Sequence, residues 1–374
     1  MTVTWDIDQI AELCLAIQGI AAPTGAEHQR AETVAALLRQ AGLAEVEMDD
    51  TPNVYARIAG TGRGPGVMVS AHLDTVFPEG TDLTSRREGP VLYGPGIGDN
   101  SLGLAGLLTL AGQLAGGEQP PPCDVWFVAN AGEEGLGDLK GMRRAVDRLG
   151  QRLKCCVVLE GSSSGPWTIT HRGLGVRRYK IEAKARGGHS WGSFGEPSAI
   201  HLLVRLASVI THWEVPKSPR TSFNIGVIEG GTSVNTIAEH ASLLLDLRSE
   251  DADALNTLIA RTEELVAAAN TIGDAEIMAT VVSDRPTGEI PIQHPLVAAA
   301  SEVLHGFGVP AEDISYRVGS TDANVPLSRG IPAVTIYMTR GHNVHRLDEW
   351  LSLEYLPLGM SAAWQLIQRA IDDL

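Results

Sequence analysis

Gly66-Val67-Met68-Val69-Ser70-Ala71-His72-Leu73-Asp74 is the stretch that decides the fold: an apolar run of strand length that ends on an imidazole and a carboxylate. An unbroken apolar run of four to eight residues reads as a strand buried on both faces, as in a parallel sheet covered by helices. The pattern recurs. Residues 124–129 lead to Glu133 and Glu134, residues 155–159 lead to Glu160, and residues 331–337 lead towards His342 and His345. Open α/β sheets bind their ligands beyond the carboxyl ends of their strands, so these polar residues are expected to share a site.

Outward from this stretch the chain falls into place. Residues 5–20 read as a helix, and Thr24-Gly25-Ala26-Glu27 has the pattern of a capping box ahead of a second helix, 31–41, that stops at Gly42. Residues 101–115 read as a helix between the first two strands, which predicts a mainly parallel, helix-covered sheet. From residue 174 apolar and charged residues mix as in half-exposed strands. The order here is strand 176–185, helix 197–211, strands 222–229 and 239–248, helix 251–269 and strand 275–283, the split βαβ arrangement of a ferredoxin-like unit. After Arg285-Pro286 the first texture returns, with helices at 296–307 and 355–374. The fold expected is therefore α/β: one domain made of residues 1–173 and 286–374, interrupted by an inserted α+β domain at 174–285.

Composition narrows the function. Of 374 residues, 45 are acidic and 29 basic, a formal charge of -16 that would repel nucleic-acid phosphates and anionic lipid surfaces. Residues 1–22 carry Asp6, Asp8 and Glu12 without a basic leader or a long apolar run, and no stretch reads as a membrane span. Only four cysteines occur, two of them adjacent at 155 and 156 in an apolar run, which suits free thiols in the cytoplasm.

The polar residues themselves point to cations. His72 and Asp74, two apart on an extended segment, face one side, so the carboxylate can hold one ring nitrogen while the other ligates metal. Glu133 beside Glu134 would be self-repelling near a buried strand unless a cation or solvent compensates. Glycines flank that pair, as a tight turn with close backbone approach requires. Asp99 precedes a helix and could simply cap it. The Gly94/Gly96/Gly98 cluster before it lacks the preceding strand that a dinucleotide site needs.

Together, H-L-D-T-V (72–76), G-I-G-D-N (96–100), N-A-G-E-E-G (130–135), Glu160, G-G-H-S (187–190), G-S-T-D-A (319–323) and H-R-L-D-E (345–349) resemble the dizinc exopeptidase and deacylase family. That family includes glutamate carboxypeptidase, tripeptide aminopeptidase, aminoacylase and succinyl-diaminopimelate desuccinylase. The resemblance implies a catalytic domain interrupted by a lid domain. It implies that His72 and Glu160 hold one metal ion, Glu134 and His345 the other, and that Asp99 bridges them. Glu133 becomes the general base and Asp74 the support of His72. In the lid, His189 would stabilise the oxyanion, while Asn235 and Arg248, with Gly319, Ser320 and Thr321 of the catalytic domain, would bind substrate. His345 is preferred to His342 because its spacing to Glu349 matches the closing motif; Asn100 stands where many relatives have Asp.

An all-imidazole and carboxylate ligand set suits Zn²⁺ and admits Co²⁺ or Mn²⁺. Two such ions about 3.5 to 4 Å apart would activate a water for attack on an amide. The expected substrate is a small peptide, with an N-acyl amino acid as the alternative, and relatives pair into homodimers through the lid. Two rivals remain from other classes. Ser163 and Ser190 each lie in a G-x-S-x-G match, which raises a serine hydrolase, and a fold of this kind can also serve as a non-catalytic binding protein.

Overall fold

The computed structural model describes residues 3–62, 64–270 and 275–372. They form two compact units, one of residues 1–173 and 288–374 and the other of residues 174–287.

The first unit is built on a sheet whose central strands, Val125–Asn130, Gly66–His72, Leu153–Ser163 and Ala333–His342, lie side by side in that order and run parallel. Gly66–His72 is buried along its whole length, as an unbroken apolar run demands when helices cover both faces. Leu102–Ala115 and Leu356–Asp372 supply much of that cover. The latter packs so closely that a Cβ on Gly359 would overlap the Met338 carbonyl oxygen. Gly359→Ala is expected to destabilise this unit by ~1–3 kcal/mol or more through overpacking, read as a fall in melting temperature.

Two expectations are corrected here. The strands predicted at 155–159 and 331–337 extend to Ser163 and His342, so Glu160 and His342 lie within strands rather than beyond them. Their ladder continues to Thr339↔Ser162 and Arg340↔Ser163, because pairing uses the backbone and tolerates a charged side chain that projects from one face. The capping box at Thr24–Glu27 does not form: the second helix, His28–Gln40, starts on Glu27 without a side-chain cap. The Thr24 hydroxyl donates instead to Asp74 Oδ2 at 2.9 Å, and Glu27 accepts from the Gly25 N–H. Short strands such as Glu45–Met48, Val54–Ile58 and Thr168–Gly173 had no reading in the sequence.

The second unit has one antiparallel sheet in the order Thr221–Gly230, His240–Ser249, Gly175–Lys184, Glu276–Arg285, the ferredoxin-like arrangement. Helices Ala199–Thr211 and Ala252–Asn270 bury a core of their own against it, including Ile181, Leu203, Leu243 and Leu258. Arg285 ends its last strand and is buried.

Candidate metal centre

Neighbouring strands bring the first two donors together. Ser70 pairs with Val158 in parallel register, so His72 and Glu160 leave adjacent strands at the same level. His72 Nε2 lies 2.9 Å from Asp99 Oδ1 and 3.7 Å from Glu160 Oε2. On the other side of Asp99, His345 Nε2 lies 3.1 Å from Asp99 Oδ2 and 3.0 Å from Glu134 Oε1. The two oxygens of one carboxylate thus face two imidazoles, each with a further carboxylate beside it. His342 instead lies against Trp350, with ring centroids 5.5 Å apart and the planes tilted by 53°.

The turn after Val125–Asn130 carries the acidic pair. Gly132 and Gly135 take left-handed backbone, with φ of 68° and 50°, where a side chain would be strained. Between them Glu133 and Glu134 are buried, and their N–H groups donate to Asp74 Oδ1 and Oδ2, both at 2.9 Å. Asp74 therefore does more than orient one ring. The nearest acceptor for His72 Nδ1 is the Asp74 main-chain carbonyl at 3.0 Å, with the carboxylate at 3.5 Å. That carboxylate mainly clamps the glutamate turn and the Thr24 hydroxyl. Beneath it, buried Arg30 donates to the carbonyls of Leu73 and Ile20.

This donor set fits divalent cations. A carbonyl only accepts, so His72 Nδ1 must carry the hydrogen, and a neutral ring then aims its Nε2 lone pair at two carboxylates. A cation between them, or a second proton on the ring, removes the repulsion. Burial, and next the charge of Asp99, push Glu134 up to about 7, against the hydrogen bond from His345, and a bound cation would favour its charged form. Burial raises Glu160 too, against the pull of His72. His345, hydrogen-bonded to Asp99 and then Glu134, is pushed up to about 10. His72, Asp99 and Glu134 offer donor atoms within 4.8 Å of one another.

Two residues unassigned in the sequence brace this centre. Asn100 spans from the Asp99 loop to the Glu160 strand: its Nδ2 donates to the Leu159 carbonyl and its Oδ1 accepts from the Gly161 N–H, both at 2.9 Å. An aspartate could not make that donated bond. Asn130 donates to buried Asp322 at 2.7 Å, tying the glutamate strand to the loop after Gly319. In that loop Gly319 ends the strand Ser315–Gly319 and Ser320 follows it. The Thr321 hydroxyl lies 2.8 Å from that of Thr335, which leaves it capacity for a further hydrogen bond.

The remaining candidates belong to the second unit. His189 and Asn235 share a small ribbon in which Gly188–His189 pairs with Thr236–Ile237, and the Ser190 N–H donates to the Asn235 carbonyl at 3.0 Å. His189 Nδ1 accepts from the N–H of Trp191 at 3.2 Å. Arg248, half-exposed on His240–Ser249, donates to Asp246 at 2.7 Å. The two serine matches lack the strand-to-helix elbow: Ser163 leads through a turn into the strand Thr168–Gly173, and Ser190 enters a turn.

Comparison with known proteins agrees with this picture. Succinyl-diaminopimelate desuccinylase of Corynebacterium glutamicum is 27% identical over 345 residues, 90% of this chain and 90% of the relative. Acetylornithine deacetylase of Edwardsiella ictaluri is 27% identical over 381 residues, covering 94% of each chain. The crystal structure of a tripeptidase from Staphylococcus aureus superposes with a TM-score of 0.81 at 20% identity, covering 98% of this chain and 99% of that one. Residues 68–369 match the family described as Peptidase family M20/M25/M40, and the chain belongs to that family.

Proposed function

We propose that this chain, a metal-dependent amide hydrolase of its family, removes a terminal residue from small peptides at a two-metal centre. The observation that carries the proposal is the carboxylate of Asp99 facing His72 at 2.9 Å and His345 at 3.1 Å, with Glu160 and Glu134 completing two ligand sets. When bound, two divalent ions supply Lewis acidity that makes water a nucleophile near neutral pH and stabilises the oxyanion. Zn²⁺ is our first choice, with Co²⁺ and Mn²⁺ compatible with the same donors.

Glu133 takes the proton of the attacking water and delivers it to the leaving nitrogen. Its place beside Glu134, on a turn held by Asp74, keeps base and ligand in fixed relation. His189 of the second unit stabilises the oxyanion, and Asn235, Arg248, Gly319, Ser320 and Thr321 contact the substrate in this proposal. Asp74→Asn would set an amide N–H against one of the donors that now meet the carboxylate. A loss of ~10–100-fold in metal affinity or kcat/KM is expected, measured by metal titration and steady-state kinetics.

Deacylation of N-acyl amino acids is the second reading, favoured by the names of the two curated relatives above and by a glutamate at position 160. Assaying di- and tripeptides beside acetyl- and succinyl-amino acids decides between them. Higher kcat/KM on peptides is expected, and a clear preference for the acyl amino acids would select the deacylase. We place the protein in the cytoplasm because its four cysteines are buried free thiols. Among the described residues no helix is long and apolar enough to cross a membrane. We further propose a homodimer formed through the second unit, whose edge strand Thr221–Gly230 exposes Val227 and Ile228. Light scattering that finds only monomer would exclude it.

A further inference from the structure

Glu349 is fully buried, and among the described residues it has no ion pair. Its Oε1 accepts from the N–H groups of Gly98 at 2.8 Å and Asp99 at 2.9 Å, and its Oε2 from that of Gly96 at 2.9 Å. Its main chain joins in, for the Glu349 carbonyl accepts from the Gly94 N–H at 3.0 Å. Convergent backbone N–H groups make an anion-binding concavity, and here a side chain from the far end of the chain fills it.

The Gly94-Pro95-Gly96-Ile97-Gly98-Asp99 segment is shaped around that carboxylate. Gly96 has a φ of 69°, and a Cβ on Gly98 would stand 3.0 Å from Glu349 Oε1 and overlap Ser162 Oγ. The glycines thus permit an approach that alanine would block. A buried carboxylate without a cation partner is an expensive way to hold a loop if packing were its whole purpose.

The position of Glu349 supplies a purpose. Four residues before it stands His345, in a loop at φ 68° with its side chain 51% exposed. His72 and Glu160, by contrast, leave paired strands, and Asn100 brackets Glu160 from both sides. One donor set is therefore anchored by the sheet, while the other depends on how two loops meet. Besides the contact between His345 and Asp99 themselves, the Glu349 side chain joins those loops through three hydrogen bonds.

We propose that Glu349 is a positioning residue that locks the Asp99 loop to the His345 loop, so that Asp99 faces both His72 and His345 and the His345–Glu134 position would hold a cation tightly. The inference rests on the two-metal reading above. It assigns Glu349 no contact with substrate.

The test is titration of the metal-free full-length protein with Co²⁺, followed by visible absorption and calorimetry. Wild type should take up two equivalents. E349Q keeps the volume but turns an NH₂ group towards an N–H donor, and should keep one tight equivalent while the second weakens by ~10–100-fold, the range seen when a ligand's supporting partner is removed. The rise in Tm on adding Co²⁺ should shrink in step, and E349D, which keeps the charge on a shorter arm, should fall between. E349Q with two equivalents of unchanged affinity and unchanged spectrum would overturn the proposal, whatever happened to its Tm. If E349Q does not fold, E349D is judged by the same criterion, and unchanged affinity at the second site overturns the proposal there. Failure of wild type to bind two equivalents would instead overturn the two-metal reading, and this proposal with it.

Discussion

Glu133→Gln should keep its fold and its bound metal yet hydrolyse amides ~10²–10⁴-fold more slowly, the contribution typical of a positioned general base. Glutamine matches glutamate in size and preserves the N–H that donates to Asp74 at 2.9 Å, so the turn and its neighbour Glu134 stay in place. What is removed is the ability to accept and return a proton. Metal content by elemental analysis and kcat/KM on the best peptide measure the two halves separately. Activity within a few-fold of wild type would remove Glu133 from the mechanism, and loss of metal along with activity would make it a ligand instead.

Asp99→Ala should abolish turnover by taking away the shared ligand. Its two oxygens stand 2.9 Å from His72 and 3.1 Å from His345, so neither ligand set is complete without it. Losing the Lewis-acid contribution, several kcal/mol, corresponds to roughly a thousand-fold or more in rate. Chelation of wild type should reproduce the loss, and Zn²⁺, Co²⁺ or Mn²⁺ should reverse it. A chelator-resistant protein, or an Asp99→Ala variant with wild-type metal content, would contradict the two-metal centre.

How much of this was legible in the sequence depends on the range of the forces involved. The strand Gly66–His72 announces itself because every one of its residues is buried, and a doubly covered strand needs an unbroken apolar run. The ferredoxin-like order of the second unit was also legible, since alternation and helical periodicity are local. The capping box failed for the opposite reason. Thr24 is fifty positions from Asp74, and only in the folded chain does that carboxylate claim the hydroxyl. Asn100 is similar, because its bonds to either side of Glu160 reach across sixty positions and look in sequence like a departure from the expected Asp.

The sequence by itself determined the type of sheet, the inserted unit and the kinds of donor at the strand ends, because these follow from hydrophobic periodicity and side-chain chemistry. The tertiary structure alone decided which oxygens face which nitrogens. It gave the Asp74 carboxylate to the glutamate turn, brought His345 to Asp99 while His342 came to lie against Trp350, and seated Glu349 among three backbone N–H groups. Hydrogen bonds and ion pairs reach only a few ångströms and require defined angles, and no spacing along the chain encodes that geometry.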